Sequence, residues 1–572
     1  LSPVPWSVSM PASRRDFLRA AGATALAMAT TREVHAAPRV DVPAPEPGAA
    51  PPDIVTPYFG RKPVARGTDG VVVTSNPHAS RAAIDLLKAG GYACVAALCA
   101  AVTQSVTEPH MTTITGMLSM LYYDAASRQL SYLNGGMNAP LAPLTGFSPG
   151  DLAGGRGAGV PGWWGGFEAA HARFGSRPRA ELLRPAITYA RDGFPIYPFL
   201  YAEMFAQLDT IGLSPTGRGI YMPQGALLPP GATLRQPEAA DTLERLAVEG
   251  NRFWTGEFAR AYCEVVKKAG GVIVPEDFER YEVRWVSPAH STYRGYDVYG
   301  SPPPHNGGTH VIEALNMLEQ FDLQRMGPPT ASGETLYWMN RIVNETYEEG
   351  SKHTDPATHD VPTDFLVSKE YAAMRLKLMR MAPPRQPAPP PPPGSNHVTV
   401  IDQRGNVATI LHSVMSLPWQ NGLFAKGVSI AASGTHFFRI MPRPGERATV
   451  FVAPTLIMKN GRPVLAAGSP SVGQLQNIVQ NTVNILDFGM SVEESVLRPR
   501  FGGPSSVAGT NYIEVDIDER VRDAAAKLGA RWYVTSPWHF MNGTYEGIHI
   551  DPASRVASAC ADPRRCGMAY AV

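Results

Sequence analysis

The chain has 572 residues, of which 44% are hydrophobic and 18% charged, so it is long enough to bury a large core and too apolar to be disordered as a whole. Its 51 basic and 50 acidic residues leave a formal net charge of +1, which provides no electrostatic footprint for a nucleic acid or an anionic membrane surface. Neither kind of partner is expected.

With the start taken at Met10, the run Ser13-Arg14-Arg15-Asp16-Phe17-Leu18-Arg19, an Ala-rich stretch and the small-residue site Val34-His35-Ala36-Ala37 occur in the order of a twin-arginine export signal. Residues 1–37 are therefore expected to be removed, leaving a periplasmic or extracellular protein. The Ala-rich run is too short and too weakly apolar to span a bilayer. A Pro-rich lead-in follows from Val40 to Pro57.

Asn76-Pro77 supplies an N-cap and a Pro at the first helical position, so HASRAAIDLLKA should be a helix ending at Gly90-Gly91. The small and apolar residues from Ala93 to Val102 are too few to cross a membrane and read as a buried core helix. Helices are expected to dominate this first block. Five cysteines (Cys94, Cys99, Cys263, Cys560, Cys566) show no metal spacing. Their odd number argues against a disulfide framework, although an exported protein could pair Cys560 with Cys566.

Gly157 to Gly162 satisfies G-x-G-x-x-G literally, but no strand precedes it and Pro161 stands where a helix should open, so it is not read as a dinucleotide site. His353, Asp355, His359 and Asp360 lack any companion metal motif and read as a solvated loop. No metal and no cofactor are expected.

A second Pro-rich spacer, Ala382 to Gly394, ends in five prolines and Gly394-Ser395, directly against a strand pattern. The strands VTVID (398–402) and VATIL (407–411) flank the turn QRGN, and VFVAPTLIM and PVLAAG flank Asn460-Gly461, so both pairs read as antiparallel hairpins. A helix with apolar residues at helical spacing follows from Gly473. Gly394-Ser395 itself allows two readings. It is either the end of a linker or a bond made to be cut, in which a hydroxyl attacks the preceding carbonyl and the freed α-amine, with an ordinary pKa of about 7.7 to 8.0, becomes the general base for that hydroxyl.

From about Val71 to Gly567 the chain resembles the gamma-glutamyltransferase family, through runs such as TEPHMTTITG, GVPGWWGGFEAAHARFG, RPAITYARDGFPI, GGVIVPEDFERYEVRW, YRGYDVYGSPPPHNGG, GSPSVGQ and ADPRRCG, which follow in the family's order. The resemblance implies an α+β fold, a four-layer αββα sandwich of the N-terminal nucleophile hydrolase type. It implies one precursor that cleaves itself between Gly394 and Ser395 into a large segment, 38–394, and a small segment, 395–572, which stay associated. The nucleophile falls on Ser395, where the family has Thr. The second hydroxyl falls on Ser413, and the oxyanion-holding pair, Gly-Gly in the family, on Ser471-Val472.

The positions that hold the glutamyl head in the family depart from its pattern. The carboxylate-binding Arg falls on Gly136, an Asn on Met415, the acidic ammonium-binding residue on His436, and a Ser-Ser pair on Val450-Phe451. The expected activity is therefore a self-processed amidase or acylase acting on a small amide or peptide-like molecule without a free glutamyl head, through an acyl-Ser395 intermediate. A true gamma-glutamyl hydrolase or transpeptidase with other contacts, a carbon–carbon bond hydrolase and a non-catalytic relative are the alternatives.

Overall fold

Strand periodicity of two and helix periodicity of 3.6 divide this chain into three stacked cores. The computed structural model describes residues 57–350, 353–385, 387, 394–470 and 473–572. The proposed export signal and the run of five prolines lie outside the described residues. Fourteen strands form the two main sheets: β1 (Val64–Gly67), β2 (Gly70–Thr74), β3 (Met117–Asp124), β4 (Gln129–Gly135), β5 (Arg284–Val286), β6 (Ala289–Tyr293), β7 (Tyr296–Gly300), β8 (Ser395–Asp402), β9 (Val407–Ser413), β10 (Thr455–Lys459), β11 (Arg462–Gly468), β12 (Glu546–Ile550), β13 (Ala557–Cys560) and β14 (Met568–Ala571). One sheet runs β14-β2-β8-β9-β3-β4-β5 and the other β1-β13-β12-β11-β10-β7-β6.

Alternate residues of one strand enter different cores. Val71 and Val73 of β2, with Leu121 and Tyr123 of β3, meet Leu456, Ala466 and Ile548 of the other sheet. Val72, Leu118, Met120, Val398 and Val400 face the opposite way, into the helices α1 (Pro77–Lys88), α2 (Ala93–Thr107), α3 (Trp163–Phe174) and α4 (Arg179–Asp192). The second sheet sends Val298, Ile457 and Leu465 into α5 (Gly307–Leu318), α6 (Gly333–Gly350), α7 (Lys369–Met381), α8 (Gln474–Leu486) and α9 (Glu519–Lys527). The order of layers is helix, sheet, sheet, helix, as expected. The first block is more mixed than its composition suggested, since it supplies strands to both sheets.

Local signals explain the elements that carry the site. Asn76 accepts the His78 N–H at 2.9 Å and starts α1. α2 is buried along almost its whole length, as a helix apolar on all sides must be. Its N-terminus is capped from far away in sequence, by Asp402 Oδ2 accepting the Ala93 N–H at 2.8 Å. That Asp is the last residue of β8, and it also accepts the backbone N–H groups of Arg404 and Asn406 in the turn to β9. The β10–β11 turn has Asn460 at φ 51° and Gly461 at φ 72°, the left-handed pair that a tight hairpin requires.

One expectation needs correction. The stretch around His353 is not a solvated loop: His353 and Asp355 are buried, and Arg284 Nη1 donates to both Asp355 carboxylate oxygens at 2.7 Å. The reason is a partner 71 residues away, which local polarity does not reveal. Among the described residues no group of three or more His, Cys, Asp or Glu side chains is arranged for a metal, and all five cysteines are free.

Candidate active site

β8 begins at Ser395 and β9 ends at Ser413, and the antiparallel register places these two residues opposite each other. Ser413 in turn faces Met117 of β3, and Leu118 faces Gly135 of β4. Ser395, Ser413 and Gly136 therefore stand at the same end of one sheet.

The Ser413 hydroxyl donates to the carbonyl oxygen of Gly394, the residue whose peptide bond precedes Ser395, and accepts the Met415 N–H at 2.8 Å. Gly394 is required by space: a Cβ there would lie 2.5 Å from Ser416 O and 2.7 Å from Val414 Cγ2. Met415 adopts a left-handed backbone, φ 57°, which is uncommon for a residue with a long side chain. It turns the chain sharply after Ser413, so that its own N–H reaches back to the hydroxyl.

The neighbouring imidazoles are structural. His397 Nε2 meets Thr409 Oγ1 at 2.8 Å and Thr399 Oγ1 at 3.1 Å, and a Cβ on Gly468 would lie 2.0 Å from its ring. His412 Nδ1 accepts the Trp163 indole N–H at 3.1 Å, so its Nε2 carries the proton and donates to Gln104 Oε1 at 2.8 Å. Burial depresses both rings to about 3, which makes them poor bases at neutral pH.

The positions aligned with head-group contacts divide into two sets. Met415 and Val450 belong to one apolar cluster with Met117, Met137, Leu411 and Phe437. Its rim continues outward through Phe147, which stacks on the exposed Phe438 at 5.0 Å between ring centroids. His436 is buried on the turn beside Phe437, with its pKa lowered to about 3 first by burial and then by Arg439. Phe451 points the other way, onto Tyr347 and His310 at 4.5 and 5.5 Å. Adjacent residues of an extended chain face opposite sides, so Val450 and Phe451 are not brought together as one contact.

Gly136 leaves no room for a side chain: a Cβ would lie 2.4 Å from His305 Nε2 and 3.0 Å from Arg447 Cδ. Arg447 is itself buried and engaged, donating to Asn134 Oδ1 at 2.7 Å and Asn138 Oδ1 at 2.6 Å. Gly162, from the rejected glycine motif, serves the same region. Its missing side chain lets the start of α3 approach the end of β4, since a Cβ would lie 2.1 Å from Gly136 O. Ser471 and Val472 lie outside the described residues.

Sequence reasoning passed over a buried cation. Arg565 Nη1 donates to the Ser395 carbonyl at 2.9 Å, while Nη2 donates to Asn396 Oδ1 and stands 3.4 Å from Glu108 Oε1. The only signal was the doubled arginine in ADPRRCG, and composition gives no reason to place it beside Ser395.

Comparison with known proteins identifies the family. The family model described as Gamma-glutamyltranspeptidase matches residues 79–572. The Acylase ACY 1 proenzyme of Pseudomonas sp. (strain SE83) is 30% identical, over 84% of this chain and 90% of its own length. The glutathione hydrolase proenzyme of Bacillus subtilis (strain 168) is 26% identical, over 90% of this chain and 93% of its own. Among solved structures, cephalosporin acylase from Bacillus halodurans matches with a TM-score of 0.81 and 26% identity, covering 92% of this chain and 99% of that one. The chain thus belongs to the gamma-glutamyltranspeptidase family and is an amidohydrolase of the N-terminal nucleophile type.

Proposed function

We propose that the protein cuts itself between Gly394 and Ser395 and then hydrolyses an amide whose acyl part carries no free glutamyl head. In the first stage Ser395 Oγ attacks the Gly394 carbonyl carbon, the C–N bond to Ser395 breaks, and an ester forms. Water then opens the ester, giving a Gly394 carboxylate and a Ser395 with a free α-amine. In the second stage that amine takes the proton of its own hydroxyl as Oγ attacks the substrate amide. The amine leaving group departs, and water releases the acid from acyl-Ser395.

The observation that carries the reading is the Ser413 hydroxyl on the Gly394 carbonyl, because that oxygen gains negative charge during the first attack. The proenzyme names of the related acylase and glutathione hydrolase support a precursor that matures into two associated segments, here 38–394 and 395–572. The Ser471-Val472 backbone, ahead of α8, is the proposed oxyanion holder in the second stage, since helix starts favour anions.

The acyl preference follows from what the site lacks. A glutamyl head brings a carboxylate and an ammonium, and burying either without a partner is costly. Gly136 cannot carry a cation, and the buried cluster of Met415, Val450 and Phe437 beyond the end of β9 is apolar, so it supplies neither charge that such a head would need.

Intact mass of the purified protein tests the first stage: Ser395→Ala should remain a single chain, and wild type should yield a fragment of 572 − 394 = 178 residues with N-terminal Ser. Steady-state assays on the processed protein test the second. Turnover of amides with uncharged acyl groups and negligible turnover of gamma-glutamyl-p-nitroanilide are expected. Efficient glutamyl transfer to a dipeptide, with apolar amides untouched, would replace this reading by the gamma-glutamyl one.

A further inference from the structure

The start of β8 is held differently on its two sides. Towards β9 the ladder begins at Ser395, opposite Ser413, whereas towards β2 it begins at Val398, opposite Thr74. On that side the His397 N–H donates to Ser75 Oγ, at 3.5 Å. The Ser395 carbonyl instead accepts Arg565 Nη1, so a planar fork of donors stands where a strand's N–H groups would be. The same guanidinium holds Asn396 by its side-chain oxygen, fixing two successive residues at once. A lysine ammonium has no such fork.

This arrangement is expensive to bury. Glu108, Asn396 and Arg565 are all fully inaccessible to solvent, and a buried guanidinium without a counter-charge is strongly unfavourable. Glu108 supplies that charge from the C-cap of α2, and the Phe199 ring lies 5.8 Å from the guanidinium carbon. Glu108 lies in the large segment, whereas Ser395, Asn396 and Arg565 lie in the small one. The contact thus spans the two pieces that cleavage would create, and it grips the residue that would become a chain terminus.

We propose that Arg565, neutralised by Glu108, is a positioning group for the nucleophile: it holds the Ser395 carbonyl so that the hydroxyl and, after cleavage, the terminal amine keep their orientation once the bond to Gly394 is gone. The proposal rests on Ser395 being the nucleophile.

The test compares Arg565→Lys and Glu108→Gln with Ser395→Ala and with Glu345→Gln, which breaks a buried Arg341–Glu345 pair outside the site. Arg565→Lys should slow precursor cleavage at least tenfold and lower kcat of the processed protein at least tenfold, with KM within about twofold. Glu108→Gln should do the same to a smaller degree. Glu345→Gln should lower the melting temperature while kcat stays unchanged. Wild-type kcat in both Arg565→Lys and Glu108→Gln, beside an inert Ser395→Ala, overturns the positioning role alone. Cleavage and turnover that persist in Ser395→Ala overturn the nucleophile reading, and this proposal with it. If Arg565→Lys does not fold, Glu108→Gln, which keeps the side chain's shape, decides the matter by its kcat.

Discussion

Replacing Ser413 by Ala removes one hydroxyl and leaves two groups without a partner: the Gly394 carbonyl loses its donor, and the Met415 N–H loses its acceptor at 2.8 Å. A single donor to a developing oxyanion is worth about 2.7 to 4 kcal/mol, or 10²- to 10³-fold in rate. Here the bond already exists before the attack, so only its strengthening counts, and the lower end, about 10²-fold slower cleavage, is expected. The stranded Met415 N–H costs stability separately, about 1 to 3 kcal/mol if it stays dry. Ser413→Thr keeps the hydroxyl and should cleave at close to the wild-type rate. Precursor isolated immediately after expression is followed by gel densitometry and intact mass, with circular dichroism confirming the fold. Wild-type cleavage by a folded Ser413→Ala protein would refute the idea that this hydroxyl activates the scissile carbonyl.

Gly136→Arg, which restores the family's residue, should destabilise the protein by more than the 1 to 3 kcal/mol typical of overpacking, because its Cβ alone collides with His305. Gain of gamma-glutamyl-p-nitroanilide turnover in a stable variant would contradict this. Acid should destabilise the fold: His78 is depressed to about 4 and His397, His412 and His436 to about 3, all chiefly by burial. Their stabilisation is therefore present above an unfolded pKa of about 6.5 and lost as pH falls towards 3, at about 1.4 kcal/mol per pH unit for each group. Glu108 and Glu546, raised to about 7 and about 8 by burial, act oppositely, stabilising below about 4.5 and losing that contribution as pH rises. The histidines outnumber them, so melting temperature should fall between pH 6.5 and 4; a flat profile would contradict the assignment. Arg14→Lys with Arg15→Lys should leave the precursor inside the cell, and undiminished secretion would exclude the twin-arginine route.

Much of the scaffold was legible because its signals are local. Asn76-Pro77, the apolar run after Ala93 and the Asn460-Gly461 turn each dictate structure over a few residues. The place of Ser395 was legible through resemblance. What stayed hidden depends on residues distant in sequence: why position 394 must be Gly is set by Ser416 and Val414, and the burial of Asp355 is set by Arg284. Val450 and Phe451 look like one site in the sequence, yet backbone alternation sends them into different cores. Arg565 was invisible for a further reason. A charged residue in a polar run reads as solvated until its contacts with the start of β8 are seen.

The order of strands has a consequence for any protein cut at Gly394. β2, from the large segment, is flanked by β14 and β8, both from the small one, and in the other sheet the run β13 to β10 of the small segment lies between β1 and β7 of the large. The two polypeptides are interlaced rather than docked, so pulling them apart would mean dismantling both sheets. Their association should then show no dissociation constant separate from the unfolding equilibrium: dilution would not resolve them, and denaturant would release both in a single transition. Produced apart, each would be a set of unpaired strand edges, and mixing them would amount to a folding reaction rather than a binding one.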